Sequence, residues 1–162
     1  GGLVLGDVGL LGHLVELVHP GANHSNDATV MVFPTERAAF ATEFIADALV
    51  GDNPRSLPSA CGPFDGSPLT EWIKSYRTVE ELDVDVIVTG HGSALVDQAL
   101  VRDTREFFEH LRAEVAAGMA AGQTLEQLKQ NVTLERYKDW ANYERLRADN
   151  VEAAYRNLLL YR

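Results

Sequence analysis

The apolar residues at the start of the chain come in short runs: Leu3-Val4-Leu5, then Leu14-Val15 and Leu17-Val18, then Val30-Met31-Val32-Phe33, with Gly, Asn, Asp and Pro between them. Runs of this length bounded by turn residues predict strands. Phe40 to Ile45 continues the pattern beyond Pro34-Thr35-Glu36, so the first third reads as neighbouring, mostly antiparallel strands joined by short loops. From Gly51 to Ser67 the chain concentrates Gly, Pro, Asp and Ser, which predicts a long surface loop. Loops of that length usually serve a function.

The period then changes. Ser67 followed by Pro68 predicts a helix start, with the hydroxyl as cap and proline at the first helical position, running to about Leu82. An apolar strand, Val84 to Val88, follows and ends in Thr89-Gly90-His91-Gly92. Leu100, Val101, Thr104, Phe107, Phe108, Leu111 and Val115 recur at three- and four-residue intervals, the spacing of a long amphipathic helix. Thr124 with Gln127 forms a capping box for a further helix, and a final helix from about Asn150 carries Val151, Ala154, Tyr155, Leu158 and Leu159. The expected fold is therefore α/β in layers, with mostly antiparallel strands followed by helices. We expect one domain over 1–162: strand-rich over 1–50, a loop over 51–67, helix, strand and helix over 68–121, and helices over 122–162. No internal repeat interrupts this order.

Composition narrows the function. The 162 residues are 46% hydrophobic and 23% charged, ordinary globular usage. A chain of this size can bury roughly 68 to 70% of its unfolded surface, enough for a core without disulfide or metal staples. Lys and Arg number 14 against 24 Asp and Glu, a formal charge of −10, and no window is strongly basic. Phosphate backbones would be repelled, which argues against nucleic acid as a partner. No apolar run reaches the roughly 18 to 20 residues of a membrane span, so no membrane partner is expected. Cys61 is the only cysteine, which excludes an internal disulfide framework, and its loop setting reads as structural. The chain passes from Gly1-Gly2 directly into strand-like sequence, which reads as a partial chain; the compartment is left open, with cytoplasmic only the default.

Two of the five histidines stand out. His24 lies in the turn-rich loop Pro20-Gly21-Ala22-Asn23-His24-Ser25-Asn26-Asp27 between two strands, where a scaffold holds both ends and leaves side chains accessible. His91 lies between two glycines after an apolar strand, where the backbone can turn sharply and leave room beside the imidazole. A loop histidine is more often a polar surface residue than a ligand, and both readings stand for these two. His13 and His19 share a strand face that reads as a solvated edge, and His110 falls on the polar side of its helix. Glu43, inside Phe40-Ala41-Thr42-Glu43-Phe44-Ile45, is a carboxylate in an apolar strand. It either faces solvent or pairs with a cation such as a metal, because burying it unpaired is costly.

Together these elements resemble the metallo-β-lactamase superfamily, from about His13 onward. Gly21 to Asp27 resembles the family's Gly-His-Ser/Thr loop with its trailing acidic residue, Phe40 to Glu43 the strand that ends in a bridging aspartate, and Val88-Thr89-Gly90-His91-Gly92 the Gly-His-Gly after the last core strand. The resemblance implies the C-terminal half of an αββα sandwich. It implies metal ligands at His24, Glu43 and His91, with Ser25 and Asp27 as supporting neighbours. It also implies a hydrolase in which paired metals activate a hydroxide against an ester, thioester, lactam or phosphoester. No residue is assigned a catalytic role beyond metal binding.

Two departures qualify the resemblance. The His-x-His-x-Asp-His run that supplies most ligands in the family is absent. Catalytic zinc normally keeps three protein ligands, so two metals would be under-coordinated, whereas one ion held by all three residues would have a His₂-carboxylate set suited to zinc, with iron or manganese as alternatives. Glu43 also replaces an aspartate; the extra methylene moves the carboxylate by about 1.5 Å, against a tolerance of about 0.2 Å in metal–ligand distances. The strand or the side-chain path must adjust.

The expectation is a small-molecule hydrolase represented by a partial chain, with a second polypeptide able to supply the missing ligands. The alternative is a catalytically silent remnant of the fold serving as a binding or oligomerisation module. Tyr137, Trp140 and Tyr143 could face a protein partner, although such spacing more often reflects helix packing. An apolar sheet face left uncovered would drive self-association, so a homodimer or larger assembly is expected.

Overall fold

The computed structural model describes residues 3–10, 13–46, 55–59, 66–91 and 95–161. Cys61, and most of the loop expected over 51–67, lie outside the described residues. Six strands form one sheet in sequence order: β1 (Leu3–Leu10), β2 (His13–His19), β3 (Val30–Phe33), β4 (Ala38–Ala46), β5 (Val86–His91) and β6 (Leu95–Val96). Neighbours pair antiparallel except β4 with β5, which run parallel. Helix α1 (Leu69–Glu80) lies between β4 and β5 in sequence, as a parallel pair requires of its connection. Helices α2 (Gln98–Ala120), α3 (Leu125–Asn131) and α4 (Tyr143–Leu160) follow the sheet.

The register of β4 against β5 is set at one end by Arg37. This residue turns from β3 into β4 with φ 50°, and its carbonyl accepts the amide of Asp85 at 2.7 Å. Its guanidinium donates to Asp83 at 2.9 Å and to both carboxylate oxygens of Asp85 at 2.8 and 2.9 Å. The hydrogen bonds from Arg37 hold the Asp85 carboxyl below its usual range.

Alternation along the strands sorts the two sheet faces. Val30, Val32, Ala39, Ala41, Ile87 and Val96 are buried and join one cluster with Trp72, Tyr76, Phe107, Phe108 and Leu111 from α1 and α2. The described residues thus give one sheet with one helical layer, the architecture expected for half of a four-layer sandwich. On the long helix, Val101, Thr104, Phe107, Phe108, Leu111 and Val115 are all buried, as their spacing predicts. Gly118 closes that face: a Cβ there would come within 2.3 Å of the Leu128 side chain, which is itself fully buried. Glycine to alanine inside a helix ordinarily stabilises by up to about 1 kcal/mol. Here the sign should reverse, and Gly118→Ala is expected to destabilise by about 1 to 2 kcal/mol in denaturant unfolding, because overpacking outweighs the propensity gain.

Several expectations need correction. Ser67 does not cap α1: the N-cap is Pro68, with no side-chain cap bond, and the end is completed from α4. Asn157 accepts the Leu69 amide at 2.9 Å and donates to the Ser67 carbonyl at 3.0 Å, a partner invisible to local pattern because it lies 90 residues from Ser67. The segment Gly51 to Ser67 is not all surface loop. Leu57 is fully buried, the Leu57 amide donates to the Ala141 carbonyl at 2.9 Å, and the Ala141 amide donates to Arg55 at 2.9 Å. The last helix starts at Tyr143 rather than near Asn150, because Leu146 already supplies a buried turn, and its inner face uses Asn150 and Asn157 while Leu159 is exposed. The strand carrying His13 and His19 is interior, between β1 and β3, not an edge. His110 is not purely on a polar side, since its Nδ1 lies in hydrogen-bonding contact with the Tyr137 hydroxyl. By contrast, the packing reading favoured for the aromatic group holds for two of its members: Tyr137 and Trp140 meet edge to face at 4.9 Å, and Tyr137 meets Phe107 of α2 at 5.1 Å.

Candidate metal site

Strand direction alone brings the three candidate ligands to one edge. Chain β2 runs towards the loop that carries His24, and β3 returns from it, with Val18 opposite Val30. Because β4 is antiparallel to β3 and parallel to β5, the carboxyl ends of β4 and β5 point to the same edge as the β2–β3 loop. Glu43 lies near the end of β4, and His91 is the last residue of β5 rather than a residue beyond it. Carboxyl ends of adjacent parallel strands are where open α/β sheets commonly place their ligands.

The pairing is irregular at Glu43. Ala41 is opposite Thr89 and Ala46 is opposite His91, so β4 takes five steps where β5 takes two. Glu43 sits within that bulge. Bulges bend a strand and redirect its side chains, and they concentrate beside functional sites. The carboxylate expected as a ligand therefore lies where the pairing of β4 with β5 is irregular. The side chains of Glu43 and His91 fall outside the described set, and what relates them is the backbone.

The His24 loop is described in full. The His24 side chain is exposed, as are Ser25 and Asp27. Ser25 hydrogen bonds to the Asp27 carboxylate, the main cause that holds this carboxyl below its ordinary value. The two supporting neighbours thus engage one another on the outside of the loop. The outgoing limb is strapped by His19, whose Nδ1 lies 2.9 Å from the Ala28 carbonyl.

The incoming limb is sewn onto α1 by residues that no local pattern had singled out. Asn23, only 1% exposed, donates from Nδ2 to the Gly21 carbonyl at 3.3 Å and to Ser75 Oγ at 3.2 Å. Its Oδ1 accepts the amide of His24 at 2.6 Å. Ser75 in turn donates to the Glu71 carbonyl at 3.0 Å, and Thr78 donates to the Pro20 carbonyl at 3.4 Å. Gly21 adopts φ 121°, and a Cβ there would sit 3.3 Å from Ser75 Oγ, so glycine is needed both for the turn and for the close approach.

The donor set fits a zinc ion in kind, two imidazoles and a carboxylate on one sheet edge. Among the described residues no group of three or more His, Cys, Asp or Glu side chains is close enough to hold a metal. Of the three candidates, only the His24 side chain belongs to that set. Elsewhere, a polar cleft between α2 and the C-terminal segment is lined by Arg55, Asp103, Glu106, Arg136, Tyr137 and Trp140. Its charges are matched pairwise, Arg55 with Asp103 at 2.5 Å and Arg136 with Glu106 at 2.7 Å.

A family model described as the metallo-beta-lactamase superfamily matches residues 2–91, a span that ends on His91. Among solved structures, the chain is similar to the stereoselective inverting sec-alkylsulfatase Pisa1 from Pseudomonas sp.. The match has a TM-score of 0.69 at 14% identity and covers 97% of this chain and 26% of that one. It is also similar to a metallo-beta-lactamase from Pontibacter korlensis, with a TM-score of 0.51 at 20% identity, over 64% of this chain and 45% of that one. The chain thus spans about a quarter of the first structure and less than half of the second. A search of curated proteins found no match.

Proposed function

Because the chain belongs to the metallo-β-lactamase superfamily, whose family model matches residues 2–91, we propose that it works as part of a metal-dependent hydrolase, with His24, Glu43 and His91 as its metal ligands. Superfamily membership supports a hydrolase-like function. The observation that carries the ligand assignment is the convergence of three residues, distant in sequence, on one sheet edge, with a strand bulge at Glu43. Two imidazoles and a carboxylate complete the protein share of one catalytic zinc and leave a position open for water or substrate. Iron or manganese would accept the same donors. The chemistry such an ion supplies when bound is polarisation of a carbonyl or phosphoryl oxygen and a water acidic enough to react near neutral pH. A second ion would need donors beyond these three residues, since Glu43 would have to be shared and each ion would have one histidine.

The substrate class follows the superfamily: an ester, thioester, lactam or phosphoester, with sulfate esters added because a structure of similar fold is an alkylsulfatase. In assays of these five classes, zinc-supplemented protein is expected to hydrolyse at least one, and a chelator should abolish that turnover. Turnover that survives the chelator, or none in any class with zinc bound, would favour the silent module instead.

One observation favours an association role alongside this activity. Leu17, Met31, Phe40, Val88 and Leu95 lie opposite one another across five strands, on the face turned away from the helices. None belongs to the buried cluster or packs against it, and Leu95 is 60% exposed. A continuous apolar row of this kind suits isologous packing against a second copy of the same face. Light scattering is expected to give a dimer or larger assembly, and an ordinary monomer would contradict it.

A further inference from the structure

We propose that Asn23, braced by Ser75 of α1, is the positioning residue of His24, holding the backbone of this ligand in the orientation that metal binding requires; the inference rests on the metal reading above. A buried amide inside an exposed loop needs a reason, since burying a polar group without partners is costly. Asn23 has partners on both sides. Its Nδ2 is fixed by Ser75 and by the Gly21 carbonyl, and its Oδ1 takes the amide of His24 itself. Its own amide donates to the Ser25 carbonyl at 3.3 Å, closing the turn around His24. Ser75 is fully buried and locked to the Glu71 carbonyl, so the chain of bonds runs from the frame of α1 to the ligand residue. The imidazole remains exposed while its backbone is held. A ligand pre-oriented in this way spends less of its binding energy on ordering, the role that outer hydrogen-bond partners play around metal sites.

Thr78 provides an internal control. It ties the same loop to the same helix, but its hydroxyl donates to the Pro20 carbonyl rather than to Asn23 or His24. A role confined to structure would make the Ser75 and Thr78 bonds equivalent for metal binding. Titration with Co²⁺, followed by its visible absorption, reads both affinity and coordination geometry. Asn23→Ala and Ser75→Ala are expected to weaken Co²⁺ binding by roughly 10- to 100-fold and to alter the absorption band, whereas Thr78→Ala should bind as the unaltered protein does. Ser75→Ala keeps the test decisive if Asn23→Ala fails to fold. Unchanged affinity and spectrum in Ser75→Ala, or an equal loss in Thr78→Ala, would overturn the positioning role while leaving the metal reading intact. Absence of Co²⁺ binding by the unaltered protein would overturn both.

Discussion

Replacing His24 and His91 together by alanine is expected to lower zinc affinity by more than about a hundredfold, a larger loss than outer-shell partners alone produce. The same variant should keep its fold. His24 is exposed, and surface changes of this kind usually alter stability by no more than about 0.5 kcal/mol. His91 ends its strand, so its removal leaves the Arg37 anchor at the opposite end of the β4–β5 pair untouched. A separate readout follows from linkage. At about 100 times its dissociation constant, zinc should add about 2.7 kcal/mol to the unaltered protein, which is a rise in Tm of roughly 5 to 11 °C for a chain of this size. The double variant should show no zinc-dependent rise. If its affinity and its zinc response matched those of the unaltered protein, the ligands would lie elsewhere.

Asn157→Ala should cause the largest loss of stability among single polar changes. Asn157 is 4% exposed and satisfies both the Leu69 amide and the Ser67 carbonyl, so truncation leaves two buried groups without partners. Each costs about 1 to 3 kcal/mol, and a total near 3 kcal/mol lowers Tm by roughly 6 to 12 °C. The consequence reaches the candidate site, because α1 presents Ser75 to Asn23 in the His24 loop. Ser67→Ala gives the contrast. A hydroxyl cap would make it cost about 1 kcal/mol, but no side-chain cap bond is present, so its effect on thermal unfolding should be much smaller than that of Asn157→Ala.

The sequence carried the parts of the fold that rest on period and short-range chemistry. The buried face of α2 follows from residues three and four apart, and the Thr124–Gln127 capping box forms as its spacing requires. It did not carry what depends on partners far along the chain. The parallel pairing of β4 with β5, the completion of α1 by Asn157 and the burial of Leu57 against Ala141 all join segments that nothing local connects. The early start of α4 was hidden because Tyr143 to Asp149 is rich in charge and offers Leu146 as its one buried residue. His24, Glu43 and His91 could be chosen from their settings, at a loop, in an apolar strand and at a strand end. Their common edge emerges only from strand direction, and the bulge at Glu43 only from register. The Asn23–Ser75 bond spans 52 residues, and an asparagine in a turn-rich loop reads locally as turn chemistry.

The most direct test of a metal-binding edge formed by His24, Glu43 and His91 is the metal content per chain, by elemental mass spectrometry, of protein purified without chelator. The account predicts about one zinc, iron or manganese ion per chain, as a three-donor site requires. No metal, even after zinc is offered at neutral pH, would contradict it and leave a metal-free member of the fold whose role is association.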